Sequence, residues 1–196
     1  SESFASLVER IGESPLAKDA FEVDPRVSAP ELLGEVGAAH DLDEDAACLY
    51  LQLLTLPDAG DKLLRAVNGW TPKRHKQAGQ ALVAAKLLRA SAKKRPRADR
   101  LLALPGPWEK LAPPSPAMER WKLELYQARL VGRELVVPLD RPLLLAPAHE
   151  VFAEAWQRIR GGEQPGRKVA LDRRQEDLLA PILAAPLSTL VRAGHF

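Results

Sequence analysis

The chain has 196 residues and a formal net charge of +2, a length that suits one large domain or two small ones. Its single cysteine, Cys48, excludes an intrachain disulfide and a metal site built on cysteine. No apolar run approaches the length that crosses a bilayer, and the first residues lack the basic-then-apolar pattern of a signal peptide. We therefore expect a cytoplasmic protein that makes no membrane contact.

The charge is distributed unevenly along the chain. Residues 1–45 contain twelve acids and three bases, a net charge of −9 (3 − 12). Residues 73–100 contain ten Lys or Arg and one acid, Asp99. Two interpretations stay open: the acidic part shields the basic part, or it faces a different partner.

The first forty residues predict short acidic helices. Ser28 and Glu31 have the spacing of a capping box, with Pro30 in the first turn of the helix that they would begin. An earlier helix is predicted from apolar residues at helical spacing: Phe4, Leu7, Val8 and Ile11. We expect these helices to pack on the region that follows.

The clearest pattern begins at Asp41, which forms a second capping-box pair with Glu44. Pro57 ends the predicted helix, and Cys48 within it is expected to be a small buried residue. The apolar residues of this helix recur at helical spacing: Leu42, Ala46, Leu49, Tyr50, Leu53 and Leu54.

Two further helices follow. Asp61 is predicted to cap the first of them, and Asn68-Gly69 to end it, because both residues tolerate the left-handed conformation. Thr71 and Pro72 are suited to the N-cap and first position of the next helix. The residues expected to face the core are Leu63, Leu64 and Val67 in one helix and Ala78, Ala81, Leu82 and Ala85 in the other.

Basic and amide side chains cover the rest of this third helix: Lys73, Arg74, Lys76, Gln77 and Gln80. Lys and Arg neutralise phosphates, and Gln can pair with the edge of adenine. Residues 86–90 and 100–104 predict two short strands joined by a basic, proline-containing tip. Its cations are Lys93, Lys94, Arg95 and Arg97. A patch of this sign attracts a polyanion through counterion release.

Residues 41–104 resemble the winged helix-turn-helix family in their element order, their basic hairpin and the turn Asn68-Gly69-Trp70-Thr71-Pro72. The resemblance implies that the third helix enters the major groove of duplex DNA and that the wing touches the backbone or the minor groove. The implied reading residues are Lys73, Arg74, Lys76, Gln77 and Gln80, and the implied wing contacts are Lys93, Lys94, Arg95 and Arg97. Trp70 is either a core anchor or an exposed contact. Many winged helices also serve only as protein-interaction modules.

The second half of the chain is less regular. Five prolines within residues 105–116 predict a stiff linker. Alternation over residues 121–125 predicts a half-buried strand, with residues 135–137 as its hairpin partner and Gly132 near the turn. Residues 149–160 predict an amphipathic helix, and Asp172 and Gln175 are expected to cap a later one.

These patterns predict a mainly α protein of the α+β class with a winged helix near its middle. The expected regions are an acidic helical part (1–40), the winged-helix-like domain (41–104), a Pro-rich linker (105–117) and an α+β part (118–196). The sequence contains no phosphate loop, dinucleotide motif, nucleophile elbow or metal-ligand spacing, so we expect no enzyme activity, no catalytic residues, no cofactor and no metal.

The leading interpretation is a DNA-binding protein that uses the third helix and the wing. The alternative is a protein-interaction module of a larger bacterial assembly, which docks through its acidic N-terminal or its C-terminal region. Heavy use of Ala, Leu, Arg and Pro is typical of a GC-rich bacterial genome. Because the chain begins at Ser1 without a Met, we expect a processed product or a piece of a longer protein.

Overall fold

The computed structural model describes residues 21–57, 60–90 and 102–166. These residues form six α-helices and three two-stranded antiparallel sheets, which confirms the α+β class. The helices are α1 (Pro25–Ser28), α2 (Pro30–His40), α3 (Glu44–Thr55), α4 (Asp61–Asn68), α5 (Pro72–Ala84) and α6 (Ala148–Arg160). The paired strands are β1 (Arg89–Ala90) with β2 (Leu102–Ala103), β3 (Trp108–Glu109) with β4 (Met118–Glu119), and β5 (Arg129–Val131) with β6 (Glu134–Val136).

Helix α3 lies at the centre of the core. Residues 46–55 are all buried, and the helix packs against α2, α5 and α6. Its N-terminus is capped by Asp43, whose side chain accepts a 2.7 Å hydrogen bond from the backbone N–H of Ala46. The predicted cap, Asp41, is wrong: this residue ends α2 in the left-handed conformation (φ 53°), so it cannot also begin the next helix.

Three side chains from one short segment cap the buried C-terminus of α3. Trp121 Nε1 donates to the carbonyl of Leu54 at 3.1 Å, and the Tyr126 hydroxyl donates to that of Thr55 at 2.9 Å. The Lys122 ammonium, which is fully buried, donates to the carbonyl of Leu56 at 2.5 Å. These bonds satisfy carbonyls that have no partner within the helix, and the cation lies at the negative end of the helix dipole.

A buried pair of amides joins α3 to α4. Gln52 and Asn68 each donate a 2.8 Å hydrogen bond to the side-chain oxygen of the other. Gln52 Nε2 also donates to the carbonyl of Val23 at 2.9 Å, which attaches the segment before α1. Because each amide has a partner, the pair is buried without the cost of an unmet hydrogen bond.

Helix α6 closes the other side of the core, and its amphipathic prediction is confirmed. Phe152 and Trp156 are buried, and Gly161 follows the last turn. The imidazole of His40 stands edge-on to the rings of Tyr50 and Trp156, with 5.6 Å between centroids in both pairs. Partial burial lowers the pKa of His40, which favours the neutral ring between these aromatic neighbours.

In the second half, the strand predicted over residues 121–125 is wrong, and so is its pairing with residues 135–137. Residues 121–125 are not a strand: the first two belong to a 3₁₀ turn (Arg120–Lys122) and the others to the turn that follows it, because the side chains there point toward the end of α3. β6 therefore pairs with β5 across Gly132, which adopts a φ of +64° at the turn as expected. The proline-rich stretch contains β3, and Leu111 within it is buried. The division of the chain into four regions stays a prediction.

The N-terminal part differs in one further respect. Ser28 ends α1 and its hydroxyl donates to the carbonyl of Asp24, so it does not form a capping box with Glu31.

Among the described residues, no helix is both long and apolar enough to cross a bilayer. The helices predicted within residues 1–20 and after Asp172 lie outside the described residues.

The two tyrosines of the chain predict an alkaline limit to stability. Burial raises the pKa of Tyr50 to about 12, and burial together with nearby Glu119 raises the pKa of Tyr126 as well. Since tyrosine in an unfolded chain ionises near pH 10, these shifts stabilise the fold below about pH 10. That contribution is lost as the pH rises from about 10 toward 12.

Phenolate absorbance and circular dichroism, followed together against pH, check this prediction. We expect ionisation and loss of structure to coincide, whereas the chain in denaturant should ionise near pH 10. Phenolate formation near pH 10 in a chain that keeps its circular dichroism would contradict the burial of these side chains.

Candidate nucleic-acid interface

Helices α4 and α5 are joined by a tight turn of the predicted kind. Gly69 ends α4 with a φ of +65°, and the Thr71 hydroxyl accepts a 3.3 Å hydrogen bond from the backbone N–H of Arg74. Pro72 occupies the first turn of α5. Residues 68–72 therefore fold as their local chemistry indicates.

Two details of α4 correct the predictions. Asp61 is the first residue of the helix rather than its cap, which is Gly60, and its carboxylate Oδ1 lies 3.3 Å from His75 Nε2. Leu63 is 54% exposed, because the buried face of this short helix runs through Asp61, Leu64 and Asn68. The Asp61–His75 contact joins the first turn of α4 to the first turn of α5.

Helix α5 has one buried face and one exposed face. The buried residues are His75, Ala78, Gly79 and Leu82, whereas Ala85, predicted for this face, is exposed because it lies beyond the last turn. The exposed face carries Lys73, Lys76, Gln77 and Gln80. These four positions follow the three- and four-residue spacing that places side chains on one side of a helix.

Arg74, the fifth predicted reading residue, forms an ion pair with a residue of α3. Its Nε and Nη2 atoms lie 2.5 and 2.7 Å from the two carboxylate oxygens of Asp45, in the first turn of α3. Its guanidinium also lies 5.5 Å from the centre of the Trp70 ring. The hydrogen bond to Asp45 raises the pKa of Arg74.

Trp70 is a core anchor rather than an exposed contact. Its side chain is buried in the main hydrophobic cluster with 5% of the residue exposed. A second guanidinium, that of Arg26, lies 5.5 Å from the ring and donates to the carbonyl of Asn68 at 2.8 Å. The aromatic ring thus fixes the turn between α4 and α5 against α1 and α3.

The hairpin after α5 lies directly against that helix. β1 and β2 pair antiparallel, with Arg89 opposite Ala103 and Ala90 opposite Leu102. A Cβ atom added to Gly79 would stand 2.5 Å from Leu102 Cδ1, so the absence of a side chain at this position lets β2 approach the helix. The tip, with Lys93, Lys94, Arg95 and Arg97, lies outside the described residues.

The charge of this unit is strongly positive. Residues 60–90 contain seven Lys or Arg and one acid, Asp61, which gives a net charge of +6 (7 − 1). Lys62, Lys86 and Arg89 are exposed as well as the lysines of α5. The exposed side of this segment therefore carries an excess of cations, with Asp45 and Glu44 of α3 as acids close to Arg74.

Sequence reasoning missed two contacts that position the site. A glycine inside a helix signals close approach of a neighbour, so Gly79 carried a readable sign of the Leu102 contact. The Asp45–Arg74 pair had no such sign, because its members are 29 residues apart and lie on different helices.

No protein-family model, curated protein or solved structure matches this chain, so membership of the winged helix-turn-helix family stays a prediction.

The Gly79 contact predicts unequal effects for the same substitution at two glycines. Gly79→Ala should raise the free energy of unfolding by less than the helix preference for alanine alone would give, because Leu102 must shift to admit the methyl group. Gly34→Ala, in the exposed part of α2 with open space around it, should raise it by about 0.5–1 kcal/mol.

Denaturant unfolding of the two variants beside the wild type measures both effects. Equal stabilisation at the two positions would show that β2 does not pack on α5 as described. The Gly34 variant serves as the control for the general preference of helices for alanine.

Proposed function

We propose that this protein binds duplex DNA with the exposed face of α5 in the major groove and with the hairpin tip on the backbone or in the minor groove. The observation that carries the proposal is the alignment of Lys73, Lys76, Gln77 and Gln80 on one exposed helix face. Beside that face, the helix contacts a hairpin whose tip contains four cations.

The side chains on this face divide by chemistry. The lysines can neutralise phosphates, which gives affinity without sequence preference. The glutamines can form two hydrogen bonds with an adenine edge, which gives preference for particular base pairs. An α-helix fits the width of the major groove, and the opposite face of α5 is occupied by the core.

The hairpin supports the proposal by its position. Because Leu102 packs on Gly79, β1 and β2 are held at the side of α5 rather than at its end. The chain leaves β1 at Ala90 and returns at Leu102, and the basic tip is the sequence between them. The strands that bracket the proposed wing contacts in sequence therefore lie beside the proposed reading helix.

A protein-docking role is the second candidate, and one observation favours it. Leu130 and Val131 of β5 are 70% and 60% exposed, one on each face of a two-stranded sheet, and each offers an apolar side chain to a protein partner. These residues lie in the C-terminal region, one of the two docking regions expected from the sequence. The two roles use different surfaces and are compatible in one molecule.

The DNA proposal predicts that binding affinity depends less steeply on salt concentration when lysines of α5 are removed. In a low-salt gel-shift titration, Lys73→Ala with Lys76→Ala should weaken binding to any duplex. The slope of log affinity against log salt should fall by roughly 0.9 for each lysine that contacts a phosphate. Lys110→Ala with Arg133→Ala removes the same charge from exposed positions outside α5 and is the matched control.

Two further variants separate the parts of the interface. Gln77→Ala with Gln80→Ala should leave the salt slope unchanged and reduce discrimination between duplex sequences. Replacing Lys93, Lys94, Arg95 and Arg97 with Ala should reduce both affinity and slope. Absence of binding to any duplex at low salt would overturn the DNA proposal, and co-purification of a stable protein partner would then favour docking.

A further inference from the structure

We infer that Asp45 holds Arg74 out of the DNA contact set, so that this arginine lies in the proposed interface without neutralising a phosphate. The inference rests on the proposed function and adds a positioning residue to it. Its basis is that the guanidinium of Arg74, one of the five predicted reading residues, is joined by two hydrogen bonds to a carboxylate of another helix.

The geometry of the pair resembles a phosphate contact. The Nε and Nη2 atoms of Arg74 meet both oxygens of Asp45, which is the two-pronged arrangement that a guanidinium also makes with phosphate. Asp45 therefore occupies the donors that a DNA backbone would require. The Trp70 ring, 5.5 Å from the guanidinium, adds a second contact that favours this orientation.

The location of Arg74 makes the restraint relevant to binding. Arg74 adjoins Lys73 in sequence and lies three residues before Gln77, so its Cβ is a neighbour of the exposed face of α5. A released guanidinium on this long side chain would be available to the backbone of the same duplex. Asp45, with 23% of its side chain exposed, sits at the edge of the surface rather than in the core.

The pair can be broken without threatening the fold. Arg74 has 48% of its side chain exposed, and exposed ion pairs contribute little to stability. Asp43, not Asp45, caps α3, so replacement of Asp45 leaves the start of that helix intact. The effect of releasing Arg74 can therefore be measured in a folded protein.

Asp45→Asn tests the inference, with Glu44→Gln as its matched control. Both residues lie in the first turn of α3 and both substitutions remove one negative charge, but Glu44 is the exposed neighbour outside the pair. Asp45→Asn should bind duplex DNA roughly two- to fivefold more tightly than the wild type, with a salt slope steeper by about 0.9. Glu44→Gln should leave the slope unchanged.

Replacing Arg74, the other member of the ion pair, is a second test of the inference. Because the wild type keeps Arg74 on Asp45, Arg74→Gln should leave the slope unaltered, while the Asp45 carboxylate that it uncovers lowers the affinity by charge repulsion. In the Asp45→Asn background, Arg74→Gln should remove the gain in both. Unfolding midpoints of each variant confirm that the binding assays compare folded proteins.

Different outcomes would overturn the inference about Arg74 and the proposed DNA-binding function. If the wild type binds duplex DNA but Arg74→Gln lowers its slope by about 0.9, or Asp45→Asn behaves as Glu44→Gln does, Arg74 is an ordinary phosphate contact and the inference is overturned. A wild type that binds no duplex overturns the proposed function and the inference together.

Discussion

The enclosure of α3 is the constraint on which the rest of the structure depends. Residues 46–55 are buried on every side, so the last carbonyls of the helix cannot be satisfied by water. Trp121, Lys122 and Tyr126 supply the missing donors, and this requirement pulls residues 120–126 into a compact turn against the core. Arg158 of α6 continues the chain of contacts, since its guanidinium lies 4.1 Å from the Trp121 ring centre and donates to the Trp121 carbonyl.

The same helix determines which side of α5 faces outward. α5 packs on α3 through small and medium residues, with Ala78 and Leu82 buried, so the two helices approach closely. The amide pair of Gln52 and Asn68 fixes α4 to the same central helix, and Trp70 fixes the turn between. The exposed face of α5 is consequently supported from behind by buried contacts rather than by a loop. The proposed base-reading role requires support of this kind.

Interactions between residues close in sequence predicted much of the fold correctly. The predictions that were wrong concern segments whose conformation depends on contacts with distant residues. The turn at Gly69, the Thr71 cap, the Pro72 start and the amphipathic α6 depend on residues close in sequence, so their patterns were readable. Residues 121–125 alternate like a strand, but the carbonyls of a helix some 66 residues earlier decide their conformation. In the site, exposure of Lys73, Lys76, Gln77 and Gln80 was predictable from spacing. The restraint on Arg74 was not, because its partner Asp45 belongs to another helix.

The contrast between the acidic beginning and the basic middle of the chain takes a specific form in the structure. Asp24 pairs with Arg26 two residues away, so that acid is used locally to cap and fix α1. Asp45, by contrast, reaches across to α5 and pairs with a cation of the proposed interface. Within the part of the chain that the structure describes, the Asp45–Arg74 ion pair joins the acidic and basic parts, while Lys73 and Lys76 are exposed on the outer face of α5. Under the proposed function, an acid placed in this way would limit the number of phosphates that the helix neutralises. Non-specific affinity would then be lower, and a larger share of the binding would fall to the glutamines proposed to read bases.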